Sequence, residues 1–399
     1  MNYAIISIYS TPFGMAPTSR IMSYSKGLVY NGATITIYNP FPTDNWIKKD
    51  RLERKGQYEG VHFNYTSGRY LLKNKVFRGL YRVSGLKTLV GYISSAIALI
   101  KSNKKSKIDG IIISTDSLRN LFFYSIISSL LNSKSVFIFD EFPTPIRHKL
   151  KSRIPLWKIV AFKLVLRNFS AYISISKNLS DYFNKISTHN TFILPVIVDI
   201  SRFETSCISK NKCEEYLCYM GNMELSKDDV DNIIKAFSLI SKEFSSLKLL
   251  LFGDPTMGTK NILNELISSL DLTEKIKLKG KINSFEVPEI LKNAKILVSS
   301  QPNTVRASGG FPTKLGEYLA SGTPALFTDV GENSKYVKDG VHLFFAKSGN
   351  PNDYAIKLRY ILNNYEKAQK MAKEGKGFVF ENYSHEKQGM YLLEFLKSI

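Results

Sequence analysis

The stretch Ser308-Gly-Gly-Phe-Pro-Thr-Lys-Leu-Gly-Glu-Tyr-Leu-Ala-Ser-Gly-Thr-Pro324 gathers residue types that suit a phosphorylated ligand. Gly309 and Gly310 let the backbone approach a ligand closely. Pro312 fits the approach to a helix start, and Thr313 fits its N-cap. The free amides and positive end of such a helix suit a diphosphate, with the loop amides of Gly310 and Phe311 close by. Lys314 adds a full charge in a first turn that disfavours cations, so an anion must compensate it. Glu317 follows on the same side of the helix, where a carboxylate can accept two ribose hydroxyl hydrogen bonds. Read without a ligand, the same stretch is a loop and a helix cap.

Other residues add chemistry around it. Tyr219-Met-Gly221-Asn222-Met-Glu-Leu-Ser-Lys227 is a strand-end glycine turn with a lysine six residues on, and Gly253 ends another apolar strand. Asp140 and Glu141 follow the buried run Ser135–Phe139 and precede Phe142-Pro143. Either fits a general base or an acceptor-hydroxyl ligand, Glu141 slightly better, and either also fits a loop or cap carboxylate. Arg147, nearby, fits an acceptor phosphate. Asp229-Val-Asp231 has acid-x-acid metal spacing but reads as a helix start, where acids suit the dipole. Of the five histidines no pair has ligand spacing, and Cys207, Cys213 and Cys218 match no zinc pattern and read as reduced thiols. No Gly-Lys-Ser/Thr phosphate loop and no serine elbow occurs.

The elements that must position these residues alternate strand and helix. Ala4–Tyr9, a helix over Ser19–Asn31 and Thr34–Tyr38 form a βαβ unit. Residues 46–87 read as irregular and basic. Gly110–Ser114, Ser135–Phe139 and Tyr172–Ser176 are buried strands, with a helix from about Leu179. The rhythm restarts with Tyr216–Met220, a helix carrying Val230, Ile233, Ile234, Phe237 and Ile240, then Leu247–Phe252, Lys275–Leu278, Ala294–Ser299, the helix Lys314–Ser321 and a last clear strand at Thr323–Thr328. Helices close the chain. The 399 residues exceed what one core usually holds. The pattern therefore predicts an α/β protein of two doubly wound, Rossmann-like domains, with ligands beyond the strands' carboxyl ends in a cleft where the domains face each other.

The 308–324 stretch resembles the nucleotide-sugar motif of the family 4 (group 1) glycosyltransferases, in the variant with a Phe-Pro-Thr-Lys loop before a Glu-Tyr-Leu-Ala helix. The resemblance extends over the chain through the turn Gly221–Lys227, Gly253, Leu278-Lys-Gly280-Lys-Ile282, Glu286–Val298, Thr328–Glu332 and Glu381–Ser384. In the first half, Gly14–Arg20 is similar to the family's glycine loop and helix, and Leu194–Phe203 to its linker. It implies the GT-B fold, with an acceptor domain over 1–200, a donor domain over 201–383 and a C-terminal helix, 384–399, packing back toward the first domain. It implies metal-independent, retaining transfer from a nucleoside diphosphate sugar, UDP before GDP, with no further cofactor. Lys227 and Lys314 would stabilise the departing diphosphate. Gly14, Asn222, Gly253, Gly310, Phe311, Pro312, Thr313 and Glu317 would bind donor, and Arg20 and Arg147 the acceptor. Two positions depart from the pattern: Gly309 stands where the family often has a first glutamate, and Asn222 where it often has arginine. A catalytically silent sugar-nucleotide-binding protein and a GT-B sugar-nucleotide epimerase are the alternatives.

Charge points to the acceptor. The net charge is +21, and the excess of Lys and Arg lies almost wholly within residues 1–200. Basic segments 48–87 and 147–167 are interleaved with aromatic and aliphatic residues, including Trp157, Phe63 and Tyr65, and Lys149 and Lys151 flank the second. Such segments suit an anionic membrane surface better than single-stranded nucleic acid. The expected acceptor is a lipid-diphosphate-linked or other saccharide of bacterial surface polysaccharide synthesis. The apolar runs Leu89–Ile100 and Leu121–Leu131 are too short to span a bilayer. With no basic leader before Ala4–Tyr9, the expected place is the cytoplasm, peripheral to the inner membrane face.

Overall fold

The structure, a computed structural model, describes residues 1–43, 53–69, 85–115, 117–142, 155–187, 189–204, 214–310 and 313–399. Arg147, Lys149, Lys151, Phe311, Pro312, Cys207 and Cys213 lie outside the described residues. Two compact units result, one of Met1–Ile197 with His385–Ile399, the other of Val198–Ser384.

The first unit runs β1 (Asn2–Ser7), α1 (Ala16–Tyr30), β2 (Thr34–Asn39), β3 (Lys55–Tyr58), β4 (Val61–Tyr65), α2 (Leu86–Lys105), β5 (Gly110–Ser114), α3 (Leu118–Leu130), β6 (Lys134–Phe139), α4 (Leu156–Leu166), β7 (Ala171–Ser174), α5 (Lys177–Asn184) and β8 (Asn190–Ile193). The sheet order is β3-β4-β2-β1-β5-β6-β7-β8, parallel except for β3 against β4. Strands such as β5 are buried along their whole length, which is why they read as unbroken Val/Ile runs rather than alternating ones.

The β3–β4 hairpin corrects the reading of 46–87 as irregular. Glu59 and Gly60 both take positive φ, 46° and 81°, and make a tight two-residue turn. Val61, Phe63 and Tyr65 point inward while His62 is exposed, the period-2 alternation of a half-buried edge. Phe63 and Tyr65 are thus core residues and not part of a basic aromatic surface. The Tyr65 hydroxyl accepts from the Thr11 amide at 2.9 Å and donates to the Thr11 carbonyl at 3.0 Å. That bond anchors the loop leading to Gly14.

The second unit runs α6 (Ser201–Glu204), β9 (Tyr216–Met220), α7 (Leu225–Asp228), α8 (Val230–Ser238), β10 (Lys248–Phe252), α9 (Met257–Ser269), β11 (Ile276–Gly280), α10 (Val287–Asn293), β12 (Ile296–Val298), α11 (Val305–Gly309), α12 (Thr313–Ser321), β13 (Ala325–Thr328), α13 (Asn333–Tyr336), β14 (Phe344–Ala346), α14 (Pro351–Asn363) and α15 (Tyr365–Tyr383). Its sheet, β11-β10-β9-β12-β13-β14, is parallel throughout. Thr323–Thr328 is therefore not the last strand, since the three-residue β14 extends the sheet by one. On α8, Val230, Ile233, Ile234 and Phe237 are fully buried with Leu249 and Leu251 of β10, each burial contributing about 1.5–3 kcal/mol.

The final helix, α16 (His385–Ser398), belongs to the first unit. Leu392, Leu393 and Leu396 join the core beneath α1. A Cβ on Gly27 or on Gly389 would collide with the backbone of the other helix, so α1 and α16 touch backbone to backbone.

Candidate functional site

In the second unit, the glycines quoted from the sequence sit together where parallel strands end. The Gly221 amide donates to the Phe252 carbonyl, and the Gly253 amide to the Gly280 carbonyl, each at 2.9 Å. Gly253 has φ +148°, and a Cβ there would strike the Gly221 carbonyl oxygen. Only glycine allows these two turns to close on each other. An added Cβ on Gly221 would lie 3.0 Å from the Lys314 Nζ, so this turn packs directly against the lysine of α12.

Thr313 is the first residue of α12. Lys314 is compensated as the dipole argument requires, by an anion of the chain itself: its Nζ lies 3.1 Å from Asp228 Oδ1. It also stands 4.5 Å from the Tyr219 ring centroid, and the Asp228 side chain is only 5% exposed. Burial pushes the Asp228 carboxyl up, but Lys314, with Lys227 and Tyr219, holds it below the usual carboxylate range. Burial pushes the Tyr219 hydroxyl well up, and Asp228 adds to that. Lys227 lies on α7, half-buried, beside Asp228. At the other end of the same short turn, Arg306 of α11 pairs with Glu224 at 2.8 Å. Three cations therefore converge on one turn, Glu224–Asp228. Asn222, just before that turn, is exposed.

Glu317, one turn along α12 from Lys314, is held by Arg202 of α6, 2.7 Å from Nη1 to Oε1. Arg202 Nη2 donates to the Ser284 carbonyl. Behind this face, the buried Tyr318 hydroxyl accepts from the Met220 amide at 2.9 Å, fixing α12 to the end of β9. Gly310 ends α11 at φ −96°, an ordinary conformation with no close neighbour to an added Cβ.

Arg202, Asp228 and Arg306 were missed in the sequence reading. The signal for Asp228 was present, because a lysine in a helix's first turn needs a carboxylate and Asp228 follows Lys227 directly. The reading of Asp229 as a helix-start acid holds in position only. It occupies the N-cap of α8 in a left-handed conformation without capping it, and its carboxylate accepts from the Ser300 hydroxyl at 3.1 Å. Burial pushes its carboxyl up. Asp231 pairs with Lys235 one turn on. Cys218 is a buried free thiol.

In the first unit, Arg20 and Asp140 meet. Arg20 Nε donates to Asp140 Oδ1 at 2.7 Å, and its terminal nitrogens donate to the carbonyls of Leu194 and Pro195. Arg20 is 4% exposed, so its fork ties α1 to the end of β6 and to the 194–195 segment rather than pointing outward. Asp140 and the half-buried Glu141 follow β6 directly. Gly14 precedes α1, where a Cβ would strike Thr18, whose hydroxyl donates to the Ser10 carbonyl.

Comparison with known proteins agrees with this geometry. The family model described as glycosyl transferases group 1 matches residues 204–395. No curated protein matches the sequence. Among solved structures, sucrose-phosphate synthase from Thermosynechococcus elongatus has a TM-score of 0.74 at 14% identity, over 100% of this chain and 98% of that one. HepE of Anabaena, in complex with UDP and glucose, gives 0.69 at 15%, over 100% of both chains. A glycosyltransferase from Rickettsia africae gives 0.71 at 15%, over 100% of this chain and 98% of that one. The chain thus has the GT-B fold of two Rossmann-like domains, and its residues 204–395 match the model of the glycosyl transferases group 1.

Proposed function

We propose that the protein is a retaining glycosyltransferase that moves a sugar from a nucleoside diphosphate sugar to a lipid-linked or other saccharide acceptor of a bacterial surface polysaccharide. The observation that carries the reading is the pairing of the strand-end glycines with α12. The turn at Gly221, closed on Gly253, packs against Lys314, and Glu317 lies one turn further along the same helix. A diphosphate fits the cationic end, met by Lys314 and Lys227 and by the amides near Gly310 and Thr313, and a ribose fits the carboxylate. Preorganised charge of this kind stabilises a departing diphosphate without a metal, so turnover is expected to be insensitive to EDTA. UDP is the favoured nucleotide, consistent with the UDP and UDP-glucose complexes of the neighbour HepE.

Each remaining part has a role in this reading. Asp228 positions Lys314, and Arg202 positions Glu317. In the first unit Arg20 holds Asp140, and Glu141, the next residue after Asp140 at the end of β6, is the group assigned to the acceptor in this reading, with Arg20 acting through Asp140. The basic first unit suits an acceptor carried on an anionic membrane, on its inner face. Gly309 supports a second reading, a sugar-nucleotide binder without turnover, because the sugar then lacks a carboxylate contact. A thermal-shift screen with UDP, GDP and their sugars, followed by donor consumption with lipid-linked acceptors, tests both. Stabilisation by UDP-sugars with transfer supports the enzyme, stabilisation with no turnover supports the binder, and no stabilisation by any nucleotide overturns both.

A further inference from the structure

The first unit carries an apolar surface that the donor chemistry does not use. On α2 the exposed residues Leu89, Ile93, Ile97 and Ile100 recur at helical spacing. On α3, Phe122, Ile126 and Leu130 do the same, with Leu130 73% exposed. On α4, Trp157, Val160 and Leu164 follow, with Trp157 63% exposed. The three helices adjoin. Tyr92 of α2 stacks on Phe123 of α3 with ring centroids 4.3 Å apart, and α3 packs on α4. The stripes therefore form one face, far more apolar than single exposed side chains would explain.

Its charge is as one-sided as its hydropathy. α2, α3 and α4 contain no Asp or Glu. Lys101, Lys104 and Lys105 sit exposed at the end of the α2 stripe, Arg119 at the start of the α3 stripe, and Lys163 and Arg167 at the end of α4. We infer that this three-helix face docks the protein on an anionic phospholipid bilayer, its aliphatic and tryptophan side chains in the interface and its cations on the headgroups. Among the described residues of these helices, an apolar centre with a cationic fringe matches that surface. A second copy of the same face would set cations against cations. The proposal deepens the membrane-side part of the proposed function: of the two basic segments it keeps α4 in 147–167, drops the β3–β4 region, whose aromatics are core, and adds α2 and α3.

The full chain is tested by co-sedimentation with phosphatidylcholine vesicles with and without phosphatidylglycerol. In a Trp46→Phe background, Trp157 emission is read with brominated lipids. The expected result is binding that needs the anionic lipid, falls with salt without vanishing, and brings a blue-shifted, bromine-quenched Trp157. Trp157→Ser with Val160→Ser and Leu164→Ser is expected to lower the bound fraction at least about tenfold. Lys101→Gln with Lys104→Gln and Lys105→Gln is expected to remove the preference for anionic lipid. No binding to either vesicle, binding unchanged in both variants, or Trp157 buried instead in a dimer or nucleic-acid complex would overturn the proposal. UDP binding by the same samples separates the two readings: its absence alone sinks the donor assignment, and its persistence without vesicle binding sinks only this one.

Discussion

Asp228 and Lys314 make the second unit's most consequential pair, because both are largely buried and neither is tolerable alone. Asp228→Asn leaves an ammonium without its anion and is expected to cost about 3–5 kcal/mol in chemical denaturation. The pair also sets an acid limb. A carboxylate whose native pKa is lowered adds stability that is fully present above its ordinary pKa and is lost as pH falls through the native value. Wild type should lose stability below about pH 5, and Asp228→Asn less so. If Lys314 meets the departing diphosphate as proposed, Lys314→Ala is expected to lower turnover about 10²–10³-fold, read as UDP release. Glu317→Ala is expected to weaken UDP binding by about 1.5–3 kcal/mol in calorimetry, the worth of a hydrogen bond to a charged group. Wild-type UDP affinity in Glu317→Ala would remove the ribose from α12.

At the scale of elements, Tyr65→Phe isolates the β3–β4 hairpin's contribution. It leaves the buried Thr11 amide without its acceptor, at an expected cost of about 1–3 kcal/mol in thermal denaturation. That hairpin also marks the boundary of what the sequence made legible. Ile111, Ile112 and Ile113 announce a strand because both faces of β5 are covered. In β3–β4, Lys55, Gln57, His62 and Asn64 alternate with the inward residues, and the basic composition masks the period. β14 is too short for any periodicity. The glycines of the site and the helix of Lys314 and Glu317 were legible because their chemistry is local. Arg202 and Arg306 were not, because each meets its carboxylate only through the fold, 115 and 82 residues away along the chain.

For the whole molecule, the charge of +21 now divides by task. Lys101, Lys104, Lys105, Arg119, Lys163 and Arg167 of the first unit fringe an apolar face, whereas Lys314, Arg202 and Arg306 of the second are each committed to a carboxylate. Nucleotide should therefore act on one unit. UDP at about a hundredfold its Kd adds about 2.7 kcal/mol to whatever folds around it. Hydrogen exchange should show that protection within Val198–Ser384, at the β9 and β10 turns and α12, and not in β1–β8. Protection spread equally over both units would refute the assignment of the donor to the second.

The place of α16 has a consequence for biogenesis. A ribosome delivers β1–β8 first, then the whole second unit, and only afterwards the helix whose Leu392, Leu393 and Leu396 complete the first unit's core. The nascent first half must wait, unfinished and with the α16-binding side of α1 open, while the second unit emerges and folds. A chain ended at Ser384 is therefore expected to yield a protease-resistant second unit and a protease-sensitive first one, so that a lesion in α16 damages a unit whose strands are made before the second unit.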